Sequence, residues 1–205
     1  VIIVGEDPAS KIYVNMKKKK AIELGIESIV IELPENISEN ELLEKIDELN
    51  KNPRVNAILV QLPLPKHIDT NTVIERINPQ KDVDCFHPYN AGKIAINNKP
   101  YVYPCTPKGI LRLMEYYDIN PEGKNVVVIG RSNIVGRPVA LMLLNENATV
   151  TVCHSKTENL AQITKEADII ISAVGKANII KKEMIKQGAV IIDVCLLYTS
   201  DAADD

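Results

Sequence analysis

At 205 residues the chain is long enough to bury a hydrophobic core, either as one large domain or as two small ones. Apolar residues make up 45% and charged residues 25%, which excludes disordered, collagen-like and membrane-type compositions. Twenty-seven acids against twenty-four bases leave a net charge of -3, with no positive field to hold nucleic acid, and apolar stretches such as Ala57 to Leu64 fall short of the roughly 20 residues of a membrane-spanning helix.

From Val1 to about Val60, short β-branched runs alternate with helical spacing. The pattern predicts a strand over Val1 to Val4, a helix over Ser10 to Leu24, a strand over Ser28 to Leu33, a helix over Glu39 to Asn50 and a strand over Ala57 to Val60. That order means βαβ units and a parallel sheet. Asp7-Pro8 starts the first helix, because Asp caps free N–H groups and Pro fits the first turn, and Gly25 stops it. The opening Val1-Ile-Ile-Val-Gly5 reads as the middle of a buried strand, without initiator Met or signal-peptide pattern, so native sequence is expected before it.

Between Gln61 and Pro107 the sequence turns Pro-punctuated and less periodic, with LPLP, PQKDVDCFHP and YPCTP and one short helix predicted near Thr70 to Ile77. Long irregular stretches inside compact domains often carry function. A helix follows from Pro107 to about Tyr117, and after the turn Asn120-Pro-Glu-Gly-Lys a second alternating set begins. It comprises strand Asn125 to Ile129, helix Val135 to Asn145, strand Thr149 to Cys153, helix Thr157 to Glu166, strand Asp168 to Ser172, short helix Lys181 to Gln187 and strand Ala189 to Val194. This is a doubly wound nucleotide-binding pattern. The tail CLLYTSDAADD has no periodicity and reads as non-native, so residues 195 to 205 are set aside.

The run from Val126 through Gly130-Arg-Ser-Asn-Ile-Val-Gly136-Arg-Pro138 passes from a buried strand through a turn into a helix. Phosphates meet backbone N–H donors and the positive helix end at such a place. Gly130 permits the turn and Gly136 close packing, while Arg131 and Ser132 offer charge and a hydroxyl to phosphate oxygens. The spacing departs from G-x-G-x-x-G, so the loop alone is equally compatible with a strand-to-helix joint that holds no ligand. The next strand ends Cys153-His154-Ser155-Lys156, without the acid that holds the ribose 2′-hydroxyl of NAD, which favours NADP. A third strand end, Ser172-Ala-Val-Gly175, reads either as a nicotinamide-side backbone or as an ordinary turn.

On the first helix Tyr13 and Lys17 lie four apart and share a face, and Lys17 is expected within the apolar arc with Ala21 and Leu24. A lysine at the edge of a buried face can serve proton transfer, or can be a snorkelling structural lysine, and Lys20 competes for the role. Asp82 and Asp84 in KDVD read by default as surface loop acids. Cys85, Cys105, Cys153 and Cys195 are spread without a C-x-x-C pair and read as reduced thiols, and His67, His87 and His154 are too scattered for a metal cluster.

Taken together, VGEDPASKIYVNMK, VQLPLP, PQKDVDCFHPYNAGK, PCTPKGI, GRSNIVGRPVA and CHSKT resemble, in sequence and order, the bacterial bifunctional methylenetetrahydrofolate dehydrogenase/methenyltetrahydrofolate cyclohydrolase family over residues 1 to 194. The resemblance implies an α/β fold with an N-terminal catalytic domain built on a parallel sheet over residues 1 to 106. It adds a C-terminal Rossmann-type NADP-binding domain over 107 to 194, with folate in the cleft between them and a cytoplasmic homodimer without metal. It implies oxidation of 5,10-methylenetetrahydrofolate by NADP, followed by hydrolysis of the 5,10-methenyl cation to 10-formyltetrahydrofolate. By motif position Lys17 is the implied catalytic lysine, Gln61 its hydrogen-bonding partner, Tyr13 a packing surface for the folate, Asp84 the ligand of the pterin's amino-pyrimidine edge, and Pro63 a further folate contact. Gly130, Arg131, Ser132, Ile134, Val135, Gly136, His154, Ser155 and Gly175 are the implied NADP contacts.

Cys85 stands where many members of that family have Gly, and the family continues past Asp193-Val194 with Gly-Ile/Val-Asn and a returning helix. An N-terminal strand and helix of the family are also expected to be missing. Three other readings stand beside the bifunctional enzyme. A dehydrogenase without cyclohydrolase activity is opposed by Lys17 together with Gln61, and a two-domain dehydrogenase of the shikimate type leaves LPLP, KDVD and PCTP unexplained. The third is a non-catalytic fragment that binds dinucleotide or folate.

Overall fold

The computed structural model describes residues 1–176 and 178–194. The readings of Cys195 and of the tail 195–205 lie outside the described residues. The chain divides into two compact units, the first Val1–Asn90 with Pro100–Val102, the second Ala91–Lys99 with the chain from Tyr103 onward.

In the first unit β1 (Ile2–Val4) pairs in parallel with β2 (Ile31–Leu33) through the crossover helix α1 (Pro8–Glu23). The Asp7 carboxylate accepts the Ser10 N–H at 2.7 Å, Pro8 lies in the first turn, and Gly25 follows the helix at φ +72°, as the sequence predicts. Helix α2 (Glu39–Lys51) opens with a reciprocal Ser38–Glu41 capping box. Its Leu42 and Ile46 meet Ile2, Val4, Ile58, Val60 and, from α3 (Thr70–Arg76), Val73 in one buried cluster.

The strand predicted over Ala57 to Val60 is reduced to single parallel bridges, Ile2 with Val60 and Ile58 with Asp82. Ile2 N–H donates to Leu59 O and Gln61 N–H to Ile2 O, while Ile58 N–H donates to Lys81 O. The segment therefore lies between β1 and the KDVD stretch, and carries sheet-like bonds to each too briefly to form a ladder. Its direction places Gln61 and Asp84 beyond the carboxyl ends of parallel segments, the end at which open α/β sheets bind ligands.

The second unit is a four-stranded parallel sheet in the order β4 (Thr149–Cys153), β3 (Asn125–Ile129), β5 (Ile169–Ser172), β6 (Val190–Asp193). Val126, Val128, Ile169 and Ile171 join α5 (Cys105–Tyr116) and α6 (Gly136–Asn145) in one core, and Val127, Ile129 and Ile170 join Leu160 and Ile163 in another. Burial on both faces is why these strands read as unbroken apolar runs. The chain's first strand here is central, with its second and third on opposite sides, so the switch point lies beside Gly130.

Two helical predictions change, and one helix stands where none was predicted. The segment 157–166 is helical only as α7 (Leu160–Lys165), because Thr157 turns back on His154, and 181–187 holds only a 3-10 turn, Lys182–Met184. Helix α4 (Pro88–Ala95) was not expected in so Pro- and Gly-marked a stretch. Among the described residues, no helix is long and apolar enough to cross a membrane.

Candidate active site

Lys17 Nζ donates to Gln61 Oε1 at 3.1 Å. Gln61 Nε2 in turn donates to Leu62 O at 2.8 Å, which turns the amide so that its oxygen faces the lysine. The Leu62-Pro63 bond that follows is cis. Lys17 is exposed, which corrects the expected placement in a buried arc. Only Ser10 and Val14 of α1 are buried, and Leu24 on the expected arc is exposed. Angular spacing identifies which side of a helix is apolar, and does not supply a neighbour to cover it. Tyr13, one turn before Lys17, is half-buried. The competing Lys20 is held by Glu23, with Nζ 2.9 Å from Oε2.

Asp82 and Asp84 are not the surface acids expected. Asp82 is 2% exposed, its carboxylate accepting the N–H of Phe86 and of His87 and the side-chain amide of Asn90. Asp84 is half-buried. Burial pushes its carboxyl above the ordinary value, the Lys17 ammonium opposes the rise, and Asp82 adds to it. A carboxyl that feels Lys17, and a lysine bonded to Gln61, bring the three side chains of α1, the LPLP stretch and KDVD to one place. A half-buried acid beside a lysine can bind an N–H-rich heterocyclic edge while the amine serves proton movement.

In the second unit Gly130 sits at φ +119° with its N–H donated to Cys153 O, and a Cβ there would lie 2.3 Å from Ala173 O. A Cβ on Gly136 would lie 2.3 Å from Gly130 O. Both positions therefore require glycine for close packing of β3, β5 and α6. Ser132 is more structural than expected, since its Oγ accepts the N–H of Val135 and of Gly136 and its carbonyl the N–H of Arg137. Those α6 donors are thereby used within the loop, and what Ser132 can offer a phosphate is its O–H proton. Arg131, Ile134 and Ser155 are exposed, Val135 and His154 half-buried, and Gly175 exposed at φ +61°. The β4 end is a closed turn in which His154 N–H donates to Thr157 Oγ1 and Lys156 N–H to His154 Nδ1. It holds no carboxylate. The residues fit a dinucleotide with an anionic ribose substituent.

Residues 1–84 match the sequence profile of the tetrahydrofolate dehydrogenase/cyclohydrolase catalytic domain, and residues 104–203 that of the NAD(P)-binding domain of the same family. The chain belongs to the tetrahydrofolate dehydrogenase/cyclohydrolase family. It is 57% identical over 201 residues to the bifunctional protein FolD of Ligilactobacillus salivarius, spanning 98% of this chain and 70% of that relative. The bifunctional FolD enzyme of Campylobacter jejuni superposes with a TM-score of 0.95 at 48% identity, over 98% of this chain and 71% of the other. The Trypanosoma brucei enzyme, solved with NADP cofactor and an inhibitor, gives 0.90 at 41% identity, over 95% and 66%.

Within this family frame, sequence reading missed the roles of Lys81, Asp82 and Asn90. Lys81 Nζ donates to the carbonyls of Leu49, Asn50 and Asn52 at the end of α2, and Asn90, fully buried, donates also to Pro79 O. Nothing in local spacing distinguishes such residues from surface polar ones. Among the described residues no group of three His, Cys, Asp or Glu side chains converges on a metal-sized site.

Proposed function

We infer that this chain oxidises 5,10-methylenetetrahydrofolate to the 5,10-methenyl cation with NADP and hydrolyses that cation to 10-formyltetrahydrofolate. The observation that carries the reading is the 3.1 Å bond from Lys17 Nζ to Gln61 Oε1, within the field that Lys17 shares with Asp84. Bound NADP supplies the hydride acceptor. Arg131, Ser132 and Ser155 bind its phosphate groups around the Gly130 turn, with Ile134, Val135, Gly136, His154 and Gly175 shaping the surface against it.

In the first unit Asp84 accepts N–H groups from the pterin's amino-pyrimidine edge, and Tyr13 and Pro63 pack on the folate. Lys17, steered by Gln61, moves protons as water adds to the methenyl carbon: the C–O bond forms as water gives up one proton, which is released, and the C–N bond to N5 then breaks with its electron pair on N5, which takes the second water proton and leaves the formyl group on N10. The delocalised cation accepts water without a metal. Retention of both Lys17 and Gln61 favours this bifunctional reading over a dehydrogenase alone. We further propose that the protein works as a cytoplasmic homodimer, for which light scattering of the purified chain should give twice the monomer mass.

Paired assays on the parent and on Lys17→Met test the reading, one following NADPH formation and the other the loss of methenyltetrahydrofolate. A cyclohydrolase rate lowered roughly a hundredfold or more in the variant is expected. A parent inactive in both assays defeats the enzymatic reading and leaves a folate- or dinucleotide-binding protein.

A further inference from the structure

The KDVD loop holds a second acid that touches none of the reacting groups named above, yet is more buried than the one that does. Asp82 is 2% exposed against a half-buried Asp84. Its Oδ1 accepts Phe86 N–H at 3.3 Å, and its Oδ2 accepts His87 N–H at 3.0 Å and Asn90 Nδ2 at 3.0 Å. The side chain thus reaches forward across Val83, Asp84 and Cys85 and ties down the backbone on their far side. Between those ends Cys85 is held at φ +60°, in the left-handed region, with its side chain buried. That conformation is strained for an L-residue, and Gly would adopt it freely.

The near side is fixed independently. Asp82 N–H and Lys81 N–H both donate to Asn78 O, Lys81 O accepts Ile58 N–H, and Lys81 Nζ binds three carbonyls at the end of α2. Asn90 closes the far side through Pro79 O and through Tyr101 N–H, which it accepts on Oδ1. A buried carboxylate is costly unless its oxygens are bonded, and here the bonds of the Asp82 carboxylate go to Phe86, His87 and Asn90, in the segment that follows Asp84. We propose that Asp82 is a positioning residue for Asp84, its carboxylate clamping Phe86, His87 and Asn90 so that the strained Asp84-Cys85 apex presents the Asp84 carboxyl to the pterin edge of folate.

The inference rests on the folate reading above, and its test separates the two. Calorimetric binding of tetrahydrofolate and of NADP is measured for the parent, Asp82→Asn, Asp84→Asn and the double variant. Asp82→Asn turns a donor toward the donors it faces, and is expected to weaken tetrahydrofolate binding roughly tenfold and leave NADP binding within about twofold. In the Asp84→Asn background the same change is expected to add less than about twofold, because its effect passes through Asp84. Leu42→Ala, a fully buried core change in the same unit, controls for lost stability and should leave tetrahydrofolate affinity unaltered in the folded protein. Should Asp82→Asn fail to fold, Asn90→Ser removes the amide that donates to Asp82 Oδ2 and Pro79 O and accepts Tyr101 N–H, and is read in the same way.

Additive losses in the double variant, or a tetrahydrofolate affinity that Asp82→Asn and Asn90→Ser leave unchanged, would overturn the positioning role while the folate reading stands. A parent that binds no tetrahydrofolate overturns both.

Discussion

Lys17 and Gln61 stand 44 positions apart in sequence and meet at 3.1 Å through a single hydrogen bond, with the amide oriented by its own bond to Leu62 O. A lysine side chain has four rotatable carbons, so an exposed ammonium without an acceptor samples many positions. The bond selects one of them. Gln61→Leu keeps the approximate size and removes the acceptor, and is expected to lower the cyclohydrolase rate roughly tenfold to a hundredfold, as loss of one hydrogen bond to a charged group does. NADP affinity should be unaffected, and equal losses in cyclohydrolase rate and NADP binding would show that the effect is not at Lys17.

Asp84 makes the protein's stability depend on pH in a direction opposite to that of Asp47 and Asp168. Burial raises its folded value above 3.8, so the folded state holds the proton more tightly than the unfolded state. Its contribution is fully present below the unfolded value and is lost as pH rises through the raised folded value. Asp47 and Asp168, lowered by Arg76 and Lys186 respectively, act in the reverse sense. The difference between parent and Asp84→Asn isolates the Asp84 part. Urea unfolding should show the variant gaining on the parent from the acid range to neutrality while binding tetrahydrofolate roughly tenfold or more weakly. A pH-independent difference in urea midpoint refutes the burial account.

Much of the second unit was legible because its inner strands β3 and β5 are buried on two sides and its edge strand β4, though mostly exposed, keeps a β-branched run. Asn125–Ile129 and Thr149–Cys153 fall where β-branched runs place them, and Gly130 lies at the turn that motif and topology both require. The first unit was less legible wherever a residue's state depends on a distant partner. Ala57 to Val60 has strand composition, but its neighbours on either side engage it at single residues. Lys17 lies on an apolar arc, but Leu24 on that arc is exposed. Asp82 has the spacing of a surface acid and is buried by Phe86, His87 and Asn90, contacts fixed by a backbone reversal at Cys85 that period-two reasoning does not foresee.

The Gly130 and Gly136 contacts predict a packing penalty confined to the second unit. In Gly136→Ala the new carbon would meet Gly130 O at 2.3 Å, Gly130 C at 2.6 Å and Arg131 N at 2.9 Å, all of them backbone atoms. Overpacking of this kind costs about 1–3 kcal/mol, and each kcal/mol lowers the melting temperature of a domain this size by about 4–8 °C. Gly109→Ala in α5 is the matched control, since nothing lies within 4 Å of its added carbon and helix propensity favours it by about 0.5–1 kcal/mol. Calorimetric scans of the two variants should move in opposite directions, and NADP binding should fall only in Gly136→Ala.

The end of β4 predicts how the cofactor preference can be changed. His154 N–H is held by Thr157 Oγ1, Thr157 N–H by His154 O and Lys156 N–H by His154 Nδ1, so Ser155 projects exposed from a closed turn. In NAD-selective sites a carboxylate at the end of this strand accepts the ribose 2′-hydroxyl, and the same carboxylate repels a 2′-phosphate. Ser155→Asp introduces that charge without removing Arg131 or Lys156. The KM for NADP is expected to rise roughly tenfold, equivalent to about 1.4 kcal/mol, while the KM for NAD stays level or falls. Added salt should shrink the NADP penalty, since the repulsion acts at an exposed position and is screened over about 8–10 Å. A variant that loses both cofactors in equal measure would place Ser155 in the shape of the turn, and the preference for the phosphorylated dinucleotide would then rest on Arg131.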